Sequence, residues 1–161
     1  MRASILLVAA LASPAFADEE KEEQEHHHHE NHVAVFAGAT TFLGDNSETR
    51  FTIGADYERR LSFIAHELGV GVLVDSAVGS PTETFIAGFV AYHPAPVKGL
   101  MVMAGAGVAF VDAGDNSVFA LRGGAAYFVD VGGFSLGPAV SIDHANGENA
   151  LVYGLSAGKG F

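Results

Sequence analysis

Bulky apolar residues recur at every second position through most of this chain, and glycines and charges fill the positions between. Residues 51–60 show the rule: Phe51, Ile53, Ala55 and Tyr57 share one parity, with Arg59 near the end, while Thr52, Gly54, Asp56, Glu58 and Arg60 share the other. A two-residue period places successive side chains on opposite faces of a β-strand and fits no helix. The last eleven residues repeat it. Leu151, Tyr153, Leu155, Ala157 and Phe161 lie on one face, interrupted by Lys159, against Val152, Gly154, Ser156, Gly158 and Gly160 on the other. Large groups on one side and almost nothing on the other suit a strand with lipid outside and a cramped lumen inside.

Eight such segments are predicted, over roughly 32–43, 49–61, 64–77, 83–94, 99–111, 117–130, 133–143 and 149–161. The connections are short or rich in Gly, Pro, Asn, Asp and Ser, as in Gly79-Ser80-Pro81 and Ala145-Asn146-Gly147-Glu148, so neighbours pair antiparallel in an up-and-down meander. The third segment sets Leu68, Val70, Val72 and Val74 against Glu67, Gly69, Gly71 and Asp75. The sixth sets Phe119, Leu121, Ala125, Tyr127 and Val129 against Arg122, Gly124 and Asp130, and the fifth and seventh follow suit. The first and fourth are apolar on both parities, which leaves their faces open.

Two barrels share this period, one apolar inside and the other apolar outside. A face of mostly Gly with a few charges supplies too little polarity for the outer wall of a water-soluble barrel. The bulky face is therefore assigned to lipid. Aromatics agree with this, because Phe51, Phe110, Phe119 and Tyr153 fall near one rim and Tyr57, Tyr127, Phe134 and Phe161 near the other, as two interfacial girdles.

Residues 1–17 read as a signal peptide, with Arg2, an apolar Ile5–Ala12 stretch too short to span a bilayer, and Ala15-Phe16-Ala17 before the expected cleavage point. Residues 18–31 are acidic and His-rich with no apolar residue and are expected to be disordered; 32–161 form the barrel. The formal charge of −11, one unit more negative without Arg2, argues against nucleic acid as a partner. With no cysteine, an exported chain must be held by something other than disulfides, and a closed backbone ladder suffices.

On its leader, strand number, parity and terminal Phe161, the chain resembles the small eight-stranded outer-membrane barrels of the OmpA/OmpX architectural type, over about Val33 to Phe161. The resemblance implies residence in outer-membrane lipid and delivery by the barrel-assembly machinery, with Phe161 as part of the assembly signal. Lys159 departs from the usual apolar residue two places before the end, although a lysine near the rim can snorkel.

Three sites stand out. His26, His27, His28, His29 and His32, with Glu25 and Glu30 beside them, form a run able to bind Zn, Ni or Cu, with no cofactor required; the competing reading is a solvated, pH-sensitive spacer. The inward parity collects Arg50, Asp56, Glu58, Arg60, Glu67, Asp75, Arg122 and Asp130, either an ion-pair plug or a pore lining, with Arg122 expected to meet Asp56 or Glu67. Acidic connections holding Asp45, Asp112, Asp115, Asp143 and Glu148 are turn formers or cation ligands. Ser141, Asp143 and His144 lie close in sequence, but Ser141 and His144 fall on opposite faces, so no triad follows and the chain reads as a non-enzyme. A narrow channel for small solutes or ions is the alternative role, and a lipid-modifying enzyme a third.

Overall fold

The computed structural model describes residues 30–44, 47–111 and 117–161. The strands are β1 (Asn31–Leu43), β2 (Glu48–Arg60), β3 (Leu68–Val78), β4 (Glu83–Tyr92), β5 (Leu100–Val111), β6 (Ser117–Tyr127), β7 (Val129–Val131), β8 (Phe134–Ala145) and β9 (Glu148–Gly160). All pair antiparallel. β7 continues the line of β6 beyond Phe128, and both pair with β8, so the nine strands make eight staves. The ladder runs from β6 through β5, β4, β3, β2 and β1 to β9 and β8, and the β6–β8 pairing closes it into a barrel.

The first and last strands meet at the seam. Asn31 and Phe161 exchange backbone hydrogen bonds of 3.2 and 2.9 Å, and β1 and β9 pair from His32–Gly160 to Leu43–Asn149. Both ends therefore lie at one rim, here the terminal rim, with the turns after β2, β4 and β7. The remaining connections lie at the opposite, loop rim.

Two hairpins carry the left-handed backbone that tight turns demand. Gly132 and Gly133 have φ of 62° and 82°, and Asn146 and Gly147 have φ of 50° and 82°. Gly99, with φ of 84°, accepts the Phe128 N–H at 2.8 Å, where β6 gives way to β7, and a Cβ there would run into the Phe128 carbonyl oxygen.

Parity runs as the sequence predicts, with the bulky face outward. Phe51, Ile53, Val72, Leu121, Ile142 and Leu155 are all exposed on the outer wall, whereas Thr52, Glu58, Leu73 and Arg122 are buried within. The two faces left open are now fixed. β1 turns Val33 and Val35 out and Ala34 in, and β4 turns Ile86, Val90 and Tyr92 out and Phe85, Ala87, Phe89 and Ala91 in. The lumen is consequently less polar than the charge pattern implies, since Leu73, Phe85 and Phe89 form an apolar cluster with Met101 and Met103 packed against it.

Glycines make room for these groups. Phe89 pairs in register with Gly71 on one side and Gly105 on the other, and a Cβ at Gly71 would fall 2.7 Å from the Phe89 ring carbon Cε1. Alternating large and small residues around the bore fill it.

The third stave starts later than predicted, at Leu68 rather than residue 64. Leu61 accepts the N–H groups of Ile64 and Ala65, at 2.8 and 3.0 Å, and Ala65 accepts that of Leu68, so the chain coils through this segment before it extends. Glu67 falls in this turn and not on the inward face of a strand.

Candidate functional site

The charged residues expected to line the lumen separate into clusters at different depths. Midway, Arg122 and Asp143 are direct register partners across β6 and β8, and the guanidinium grips the carboxylate with two hydrogen bonds, Nε to Oδ1 and Nη2 to Oδ2, both 2.6 Å. Its remaining Nη1 donates across the bore to Oδ2 of Asp75 on β3, and its plane sits 4.6 Å from the Phe85 ring centroid. The planar fork of arginine is the side chain suited to hold two carboxylates in fixed directions. Arg122 thus meets Asp75 and Asp143, not the expected Asp56 or Glu67. Asp143 lies near the loop end of β8 with inward parity, and register brings it opposite Arg122.

At the terminal rim, buried Glu58 accepts from His93 Nε2 at 2.8 Å and forms an ion pair with Arg60, whose Nε lies 3.0 Å from the same carboxylate oxygen. Arg60 Nη2 lies 3.0 Å from His93 Nδ1. An arginine can only donate, so Nδ1 accepts and the imidazole proton in this triangle is on Nε2. Gly69 is the register partner of Arg60, and a Cβ there would sit 2.7 Å from the Glu58 carboxyl carbon, so this glycine opens space for the acid. His93 directly follows the last residue of β4, and no local sequence pattern signals its part in this triangle.

At the loop rim, Arg50 donates to both oxygens of Glu48, at 3.0 and 2.7 Å, and to the Pro81 carbonyl at 2.7 Å, with its guanidinium 4.9 Å from the Phe42 ring centroid. Glu67 contributes its backbone carbonyl, which accepts the His93 N–H at 2.7 Å. Asp130 accepts the Gly133 N–H at 3.1 Å and serves the β7–β8 turn, apart from the lumen clusters. Asp56, on the same inner face of β2 as Glu58, lines a cavity.

Of the histidines, His26 to His29 lie outside the described residues. His32 is part of the barrel: its Nε2 is 2.8 Å from the Ser135 hydroxyl and its ring meets that of Phe128 edge-on at 5.8 Å. No group of three metal-ligating side chains occurs among the described residues. Ser141 lines the lumen cavity, whereas His144 is exposed on the outer wall with Nδ1 2.9 Å from Asn149 Oδ1. Asp143 is committed to Arg122.

The cavity occupies the lumen between Arg122 and the terminal rim. It has a volume of about 80 Å³ and is lined chiefly by apolar side chains, among them Phe36, Leu73, Phe89 and Phe128.

No protein-family model matches the sequence, and no curated protein matches it. Solved structures do share the fold. Neisserial surface protein A is 13% identical with a TM-score of 0.58, covering 81% of this chain and 97% of its own. Ail, the attachment invasion locus protein of Yersinia pestis, is 9% identical with a TM-score of 0.53, covering 83% and 99%. The N-terminal β-barrel domain of Pseudomonas aeruginosa OprF is 14% identical with a TM-score of 0.52, over 83% and 99%. Closed antiparallel topology, apolar outer wall and these likenesses agree: the chain has the fold of the small eight-stranded outer-membrane β-barrels of the OmpA/OmpX type.

Proposed function

We propose that this is a non-enzymatic outer-membrane protein, a plugged barrel whose His-rich N-terminal segment captures transition-metal ions such as Zn, Ni or Cu on the periplasmic side. One observation carries the plug: Arg122 ties the β6–β8 wall to β3 through Asp143 and Asp75, across a bore that eight staves already make narrow. The metal reading rests on His26 to His29, which directly precede a strand starting at the terminal rim. Neutral imidazoles in a run suit borderline metals. His32 hydrogen-bonds to Ser135, so the capture set is His26 to His29.

Outer-membrane lipid covers the apolar wall, and the barrel-assembly machinery reads the C-terminal stave with Phe161. Calorimetric titration of Ni²⁺ or Zn²⁺ into the refolded barrel, with and without residues 18–29, tests the metal role. Affinity that survives the deletion removes it.

A second reading, a narrow conduit for small solutes or ions, draws on the cavity below Arg122. Planar-bilayer recordings decide it, since a plugged barrel shows no conductance steps.

A further inference from the structure

The middle of the lumen carries more negative charge than its cation can balance. Arg122 faces Asp75 and Asp143, and Asp56 adds a third carboxylate, so one positive charge stands against three negative. Asp56 is close to this group. It lies two residues from Gly54, the register partner of Asp75, which puts the two acids on adjacent staves of the same inner face. Diagonal neighbours of this kind have side chains about 7 Å apart. Arg122 spends its donors on the other two acids. Among the described residues, no side chain hydrogen-bonds or ion-pairs with Asp56, whose carboxylate opens onto the cavity. A confined carboxylate in a walled site calls for a counter-charge.

The walls select the kind of cation. Phe36, Phe89 and Phe128 line the cavity with Met101 and Met103. Aromatic faces attract ammonium groups, most strongly where water is scarce. A hard metal ion wants six or more oxygen ligands. The cavity offers few, and Asp75 among them is already engaged by Arg122. Its volume of about 80 Å³ admits a few waters or one small organic group. That is well under the ~300 Å³ of the smallest drug-sized sites.

We infer that the lumen cavity is a binding site for a small organic ammonium ion, with Asp56 as its counter-charge and the Phe36, Phe89 and Phe128 rings as its walls. The site sits between the Arg122 cluster and the Glu58–Arg60–His93 triangle, so an ion entering from the terminal rim meets the triangle first. This inference stands apart from the metal-binding segment, which lies outside the barrel residues.

The chain offers a direct reporter. Met101 and Met103 are its only methionines besides Met1, and both line the cavity. The full chain, labelled with ¹³C at the methionine methyls and refolded in detergent micelles, is titrated at pH 8 with methylammonium chloride, with sodium chloride at matched ionic strength as control. Methionine-to-leucine variants assign the two signals. The expected result is a saturable shift of the Met101 or Met103 methyl with methylammonium and not with sodium, and binding about tenfold weaker or lost in Asp56→Asn. No saturable shift in the unmodified chain overturns the inference. So does an equal response to sodium, which would mean a site for any cation, or an unchanged response in Asp56→Asn. Heat-modifiable gel migration verifies that the variant has folded; if it has not, the comparison of methylammonium with sodium in the unmodified chain decides alone.

Discussion

Gly71 and Phe89 face each other in direct register across β3 and β4, and the Phe89 ring fills the space where a side chain at 71 would start. On the other flank Gly105 leaves room beside the Phe89 Cβ, which a Cβ at 105 would approach to 3.2 Å. The expected consequence is that Gly71→Ala destabilises the barrel by about 1–3 kcal/mol through overpacking. Gly88→Ala should be nearly neutral, because a Cβ there meets only the Gly71 carbonyl oxygen, at 3.9 Å. Urea unfolding of both variants in the same micelle compares them, and equal midpoints would refute the account.

Arg122 holds two acids, so its loss strands both. Arg122→Met should cost about 3–5 kcal/mol, the range for breaking a buried pair by removing one partner. Combining it with Asp75→Asn and Asp143→Asn should recover most of that loss, since neither acid that Arg122 held is then charged. Denaturant midpoints of the unmodified chain, Arg122→Met and the triple variant provide the measurement. A triple variant no better than Arg122→Met would show that the charges are not the source.

Lipid contact assigns opposite fates to neighbouring positions. Val72 is 59% exposed at the middle of β3, and Leu73 beside it is buried at 8%. Val72→Arg should cost about 2–4 kcal/mol in a bilayer, the penalty for a cation at mid-membrane depth on a barrel wall. The same change at Val131, exposed at the terminal rim, should cost under about 1 kcal/mol. Reversible unfolding from lipid vesicles separates these outcomes.

Metal capture by the His-rich segment should weaken on acidification. Imidazole has a reference pKa near about 6.5, and only the neutral ring ligates. Binding is therefore full above neutrality and lost as pH falls through about 6. Zn²⁺ titrations at pH 7.5 and pH 5.5 should differ by at least about tenfold in affinity; equal affinities would point to the flanking glutamates instead.

Strands with one mixed and one bulky parity were legible from residues alone, as in β2, where Phe51, Ile53 and Tyr57 turn out and Asp56 and Glu58 turn in. β4 was not, because Phe85 and Phe89 inside are as apolar as Ile86 and Val90 outside. What sorts them is the room left by Gly71 and Gly105, and that room exists only once register is set. Register also decided the partners of Arg122. The Arg122–Asp143 match depends on how β8 slides along β6, which no local pattern encodes. β3 starts later than its pattern implies because Ile64 has the character of a strand residue, although it is strongly exposed on the turn, at 65%.

The seam between Asn31 and Phe161 joins residues 130 positions apart. Neither end can be satisfied until the whole chain has been synthesised, and proteins dominated by such distant pairings fold slowly. While it waits, β1 presents an unpaired edge able to recruit the wrong strand. Losing the last residues of β9 would strip Asn31 and His32 of their partners first, so the cylinder would loosen at its seam before anywhere else.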